Sequence, residues 1–253
     1  MKKIIAFIQA RLGGATRFGE PKVLKEICGK TVIEHIYNRV KQCKNINDVF
    51  FVIPNNELQL EIFLSKHGIK YLTGDHDDVL NRFYESNKVV NADCVVRLTC
   101  DCPLLDYKII DKVIEKHLKE ENDITTNALL GKETFPDGFD CSIFNKKVLN
   151  ETYNKARGVE RKHVVPYMYG CGKYKIGHLK NRDIYDIRLT LDYPEDFQLI
   201  KLLYELCYEK NNFFGFEEIK EIYRDNPEIF KLNSKYTRDS AYYLELAKEK
   251  INV

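Results

Sequence analysis

Short apolar runs alternate with stretches of helical period through the first half of the chain, and few folds accommodate that order. Ile4–Ile8, Asp48–Ile53, Lys70–Leu72 and Asp93–Thr99 read as strands. Residues 31–44, 56–67 and 77–90 read as the helices between them. Thr31 and Glu34 stand at capping-box spacing, Ile33, Ile36, Tyr37 and Val40 follow at helical intervals, and Gly68 closes the second helix. Strands joined by helices of this length imply right-handed crossovers and a mainly parallel sheet, an α/β doubly wound architecture. Ligands of such a sheet gather beyond the carboxyl ends of its strands.

The rhythm breaks between about residues 123 and 185, where short strands are expected around Asp123–Thr126, Phe139–Phe144 and Lys173–His178. Helices return over Glu195–Tyr208, Phe216–Tyr223 and Asp239–Ile251. No repeat or low-complexity linker divides the chain, so residues 1–253 are expected to form one domain.

Charge narrows the partners. Forty basic against 38 acidic residues leave a formal +2, so no net field favours nucleic acid or an anionic membrane, and any anion site must be local. The apolar run before Arg11 is too short for a signal peptide or a membrane span, and the chain reads as cytosolic. Eight cysteines without CxxC pairs fit buried free thiols, and the six histidines show no zinc-binding spacing.

The first strand runs directly into Gln9-Ala10-Arg11-Leu12-Gly13-Gly14, followed by Arg17, Pro21 and Lys22. Glycines let a backbone approach a polyphosphate, and Arg11, Arg17 and Lys22 supply fixed positive charge. A basic surface loop is the other reading; the position after the first strand favours a nucleotide. Gly29-Lys30-Thr31 imitates the end of a P-loop, but Leu24 stands where the leading glycine belongs, so this is a turn before a capped helix.

Two further stretches end in aspartate. Val95-Val96-Arg97-Leu98 leads to Asp101 and then Pro103, and Ile187-Arg188-Leu189-Thr190-Leu191 alternates like a strand up to Asp192 and then Pro194. Each aspartate either caps the helix that follows or presents a carboxylate at the sheet edge. Asp106 is a better cap than Asp101, and Glu195 and Asp196 suit a helix first turn. Phe135-Pro136-Asp137-Gly138-Phe139 is a turn that delivers Asp140 onto a new strand. Arg161 and His163 lie on one short helical stretch, and Arg82 sits one turn into a helix opened by Asp75, Asp77 and Asp78.

Ile8-Gln9-Ala10-Arg11-Leu12-Gly13 with Lys22-Val23-Leu24 resembles the opening signature of the cytidylyltransferases that make CMP-activated acidic sugars, closest to the spore-coat polysaccharide type and similar to CMP-Kdo synthetases. The resemblance spans roughly residues 3 to 200. It implies a Rossmann-like sheet of the nucleotide-diphospho-sugar transferase type, with a small α+β extension at about 123–185 that pairs two subunits as a homodimer. It also implies CTP as donor, with Ala10, Arg11, Leu12, Gly13, Gly14, Lys22, Arg82 and Asp101 at the nucleotide. Arg11, Lys22 and Asp101 would serve catalysis, and Asp101 and Asp192 would bind Mg²⁺. Asp140, Arg161 and His163 would bind a small anionic acceptor, an acidic sugar or a phosphorylated molecule. The loop from Gly14 to Pro21 is longer than the family's, which leaves Arg17 without an assigned role. A nucleotide-sugar glycosyltransferase would want an Asp-x-Asp pair where this chain has Asp101-Cys102-Pro103, and a non-catalytic nucleotide-binding subunit would dispense with the metal carboxylates. A dinucleotide dehydrogenase lacks its GxGxxG here.

Overall fold

The computed structural model describes residues 2–13, 21–183, 185–238 and 240–251. Its centre is a seven-stranded sheet built from β1 (Ile4–Gln9), β4 (Asp48–Pro54), β5 (Tyr71–Gly74), β6 (Cys94–Thr99), β7 (Ile124–Thr126), β8 (Ser142–Asn145) and β9 (Ile176–His178), in the order β5-β4-β1-β6-β8-β7-β9. The four strands β5, β4, β1 and β6 run parallel, with Phe7 of β1 in register with Phe50 on one side and Arg97 on the other. A hairpin of β2 (Glu26–Ile27) and β3 (Lys30–Thr31) stands apart, turned by Cys28 and Gly29 at positive φ. That is the turn expected in place of a P-loop.

Side-chain alternation along β1 explains why helices must cover both faces. Ile4, Ala6 and Ile8 join a core with α1 (Val32–Val40), α2 (Leu58–Lys66), α4 (Tyr107–Lys119) and α8 (Pro194–Cys207). Ile5 and Phe7 join the opposite core with α3 (Val79–Val90), α5 (Lys146–Lys155) and α7 (Pro166–Gly170). The helix starts follow local chemistry. Thr31 and Glu34 form the reciprocal capping box on α1, Asp78 caps α3 and Asp106 caps α4. α6 (Val159–His163), α9 (Phe216–Asp225) and α10 (Ser240–Ile251) complete the helices.

Two expectations change. The stretch 187–192 is not a strand: it forms one isolated bridge, Asp137 with Arg188, and its other backbone bonds go to loops, as when Leu191 N donates to Asp101 O at 2.7 Å. Gly138 is the reason the chains can lie so close, since a Cβ there would stand 2.6 Å from the carbonyl carbon of Leu189, and its φ is +105°. The short strands of the middle segment, for their part, lengthen the main sheet through β8, β7 and β9. None of the described helices is long and apolar enough to cross a membrane.

Two core histidines make stability pH-dependent. His35 bonds Ile27 O at 2.7 Å, and His117 sits between Thr125 Oγ1 and Asn145 Oδ1, both at 3.2 Å. Burial depresses both to about 4 from the usual 6.5. The unfolded chain therefore takes up protons first as pH falls, so the stabilisation is complete above 6.5 and drains away down to about 4. The unfolding free energy from denaturant titration is expected to drop by about 2 kcal/mol per histidine between pH 7 and pH 5. A flat profile over that window would show that these rings are not held neutral by the fold.

Candidate active site

Three segments distant in sequence meet at the carboxyl edge of the parallel strands. Lys22, on the single turn Lys22–Leu24, reaches Asp192 Oδ1 at 2.8 Å, Asp101 Oδ2 at 3.5 Å and the carbonyl of Leu191 at 2.7 Å. Pro21 precedes that turn, and Asp101 follows directly from β6. Neither aspartate caps a helix. Asp106 caps α4, and the Asp196 carboxylate takes the Asp192 and Tyr193 N–H groups at the start of α8. The side chains of Lys22, Asp101 and Asp192 are 23%, 33% and 36% exposed, enough for a ligand to reach them.

The electrostatics of this corner are coupled. Burial opposes the charge on Lys22, but Asp101 and Asp192 outweigh it and hold the ammonium pKa above its ordinary value. Burial likewise works against the Asp101 carboxylate, and Lys22 with a hydrogen bond from Thr99 keeps it below the ordinary carboxylate range. Behind them Arg188, only 7% exposed, pairs with Asp192 at 2.6 Å, Asp137 at 3.1 Å and Asp196 at 3.1 Å, so Asp192 is aimed from both sides.

The loop after β1 borders this corner. Ala10 is buried and donates to Val52 O at 3.3 Å, Leu12 N donates to Glu57 Oε2 at 2.7 Å, Arg11 is exposed and Gly13 has φ +87°. Gly14 and Arg17 lie outside the described residues. Arg82 is near enough to Arg11 to feel its charge, yet its guanidinium is spent on the carbonyls of Asp75, His76 and Val52. It braces the loop before α3 rather than standing open to a nucleotide.

A cleft of about 100 Å³ opens on the α7 side of the sheet. Asp140 and His163 line it, as do Arg97, Ser142, Tyr169, Arg238 and Tyr242. Asp140 pairs with Arg238 at 2.5 Å; burial raises its carboxyl pKa even though Arg238 and Arg97 pull the other way. His163 bonds Glu245 at 3.2 Å, and burial lowers its pKa against that hydrogen bond. Arg161 does not line the cleft. It reaches Asp78 at 2.7 Å and the carbonyl of Tyr153 at 2.8 Å, tying α6 to the start of α3 and to α5, because that helix is short and its Arg161 side points at neighbouring helices.

Arg97, Arg188 and Arg238 went unread in the sequence. For the first two a signal existed: an arginine inside an apolar strand-like run has to find a partner or a ligand. No such local signal marks Arg238, which arrives from the tail.

The comparisons agree with this geometry. A solved cytidylyltransferase from Leptospira borgpetersenii is 28% identical and superposes with a TM-score of 0.84 over 94% of this chain and 99% of that one. The spore coat polysaccharide biosynthesis protein SpsF of Bacillus subtilis is 27% identical over 90% of this chain and 97% of its own length. A 3-deoxy-manno-octulosonate cytidylyltransferase of Geotalea uraniireducens is 27% identical over 50% of this chain and 49% of its own. The family model described as cytidylyltransferase matches residues 5–235, and with the paired aspartates, the lysine between them and this architecture, the chain belongs to that family of CTP-dependent nucleotidyltransferases.

Proposed function

We propose that the chain is a cytosolic enzyme that transfers CMP from CTP to a small anionic acceptor, releasing pyrophosphate, in the making of a surface glycan. The acceptor is an acidic sugar of the Kdo or nonulosonate kind, or a phosphorylated small molecule. The observation that carries this reading is the meeting of Lys22, Asp101 and Asp192 where the parallel strands end. The printed names of the Bacillus and Geotalea relatives, polysaccharide biosynthesis and octulosonate cytidylyl transfer, support the acceptor class.

In the step itself, an acceptor oxygen bonds to the α-phosphorus, the bond from that phosphorus to the bridging oxygen breaks, and pyrophosphate leaves with the electron pair while the acceptor hydroxyl loses its proton. Lys22 and Arg11 meet the negative charge of the triphosphate. The residues present suit a divalent ion. Mg²⁺ is satisfied by one or two carboxylates completed by phosphate oxygens and water, and Asp101 and Asp192 already share one cation, the Lys22 ammonium. These two aspartates would hold Mg²⁺, which supplies charge neutralisation on the phosphates. The middle segment is the proposed contact of a homodimer, to be checked by sedimentation at micromolar concentration.

Pyrophosphate release measured with each of the four nucleoside triphosphates, against a panel of keto-acid sugars and phosphorylated alcohols, tests the reading. CTP should be the preferred donor. Lys22→Ala should weaken equilibrium CTP binding by about 10- to 100-fold, since a hydrogen bond to a charged group is worth about 1.5–3 kcal/mol. Unchanged CTP affinity in that variant would move the triphosphate elsewhere.

A further inference from the structure

Arg97 is a cation in a strand whose neighbours Val95, Val96 and Leu98 are fully buried. Alternation sends it to the α7 side of the sheet, beside Ser142, its register partner on β8. There its guanidinium forms part of the cleft wall. Its Nε donates to Gln9 Oε1 at 3.1 Å, an uncharged partner, and among the described residues the Arg97 side chain makes no other hydrogen bond and no ion pair. Arg97 is partly exposed, and its guanidinium has no carboxylate bonded to it.

The other titratable groups named on the cleft wall have hydrogen-bond partners of their own. Asp140 is paired with Arg238, Glu133 accepts from Gly131 N at 2.8 Å, and His163 is bonded to Glu245. Arg97 is thus the cation left to receive a negative group. The charges of both Asp101 and Asp140 act on it.

The outer wall is made by the C-terminal segment. Arg238 also bonds the carbonyl of Phe135 at 3.0 Å, Tyr242 packs edge-on to the His163 ring at 5.1 Å, and Glu249 takes the Val159 N–H at 2.5 Å. These residues lie beyond the family match, which ends at residue 235. The wall opposite Arg97 is therefore formed by a part of the chain outside that shared core.

We propose that the cleft seats the acceptor, that Arg97 grips its anionic oxygen group, a carboxylate or a phosphate, and that Arg238 and Tyr242 set which acceptor fits. This rests on the cytidylyl-transfer reading above. It goes further in giving the acceptor's charge a receptor that is neither of the expected ones, Arg161 and His163.

The test uses the full chain with CTP and Mg²⁺, and three probes: 3-deoxy-manno-octulosonate and N-acetylneuraminate as carboxylates, and glycerol 3-phosphate as a phosphate. Pyrophosphate release and equilibrium binding are measured for wild type, Arg97→Gln and Arg97→Lys, with melting curves to confirm folding. Wild type should bind at least one probe. Arg97→Gln should raise the KM for that probe by about 10- to 100-fold with CTP affinity within about twofold of wild type, and Arg97→Lys should recover part of the loss. A response to the carboxylates alone or to the phosphate alone identifies the group. The proposal is overturned if folded Arg97→Gln or Arg97→Lys uses the probe with the wild-type KM. It is equally overturned if either loses CTP as severely as the probe, or if wild type with CTP bound takes none of the three at about 10 mM. A wild-type protein that binds no CTP at all would sink the transfer reading instead, and the two failures are distinct.

Discussion

Asp101→Asn is expected to lower kcat by about 10³-fold or more while the protein stays folded, the scale on which one preorganised electrostatic contact at a reacting phosphate acts. The substitution keeps shape and volume. The backbone bonds that fix the segment, Leu191 N and Thr190 Oγ1 to the Asp101 carbonyl, do not involve the carboxylate. What disappears is one of the two negative charges around Lys22. In the free enzyme that charge holds the ammonium in place; with CTP and metal bound, it is one of two protein oxygens that would stay on the metal. Losing it should cost turnover far more than stability, and excess Mg²⁺ should recover only part of it. Rate against Mg²⁺ concentration, with a melting curve as control, checks this. A variant within about tenfold of wild-type kcat at saturating metal would mean that the reaction does not run through this corner.

The parallel half of the sheet was legible because each strand and helix there announces itself locally. Ile4–Gln9 is apolar, Thr31 and Glu34 cap, Gly68 stops a helix, and no distant partner is needed to read them. Asp101 and Asp192 were legible as strand-end carboxylates for the same reason, although the chain before Asp192 proved to be a loop. Its alternating apolar residues, Leu189 and Leu191, are buried as in a strand, but its backbone pairs with two separate loops, which no local pattern encodes. The cleft was only half legible. Asp140 and His163 come from motifs, whereas Tyr242 reaches it from a helix that reads as simple amphipathic cover and Arg238 from the chain just before that helix. Arg82 and Arg161 show the converse. Each has the charge expected of a ligand contact, and each spends it on backbone carbonyls or a helix-capping aspartate.

Arg188→Met should destabilise the fold by about 3–5 kcal/mol, the loss typical of removing one partner from a buried charge cluster. Arg188 is 7% exposed and holds three carboxylates at once; burial opposes its charge, but Asp137, Asp196 and Asp192 outweigh that and raise its pKa. Methionine fills much of the volume and leaves Asp196, fully buried, with the Asp192 and Tyr193 N–H groups and the Asn233 amide as its partners. Arg188→Met with Asp196→Asn should therefore regain part of the loss, because the second change removes a stranded charge while an amide oxygen can still accept the helix-start N–H groups. Activity should not return with stability, since Asp192 lacks its Nη2 contact in both variants and is aimed by Lys22 alone. Denaturant midpoints of both variants, with kcat of the folded fraction, separate the two effects. If the single variant unfolds within about 1 kcal/mol of wild type, the cluster is not held together by this arginine, and Asp192 takes its orientation from the α8 start instead.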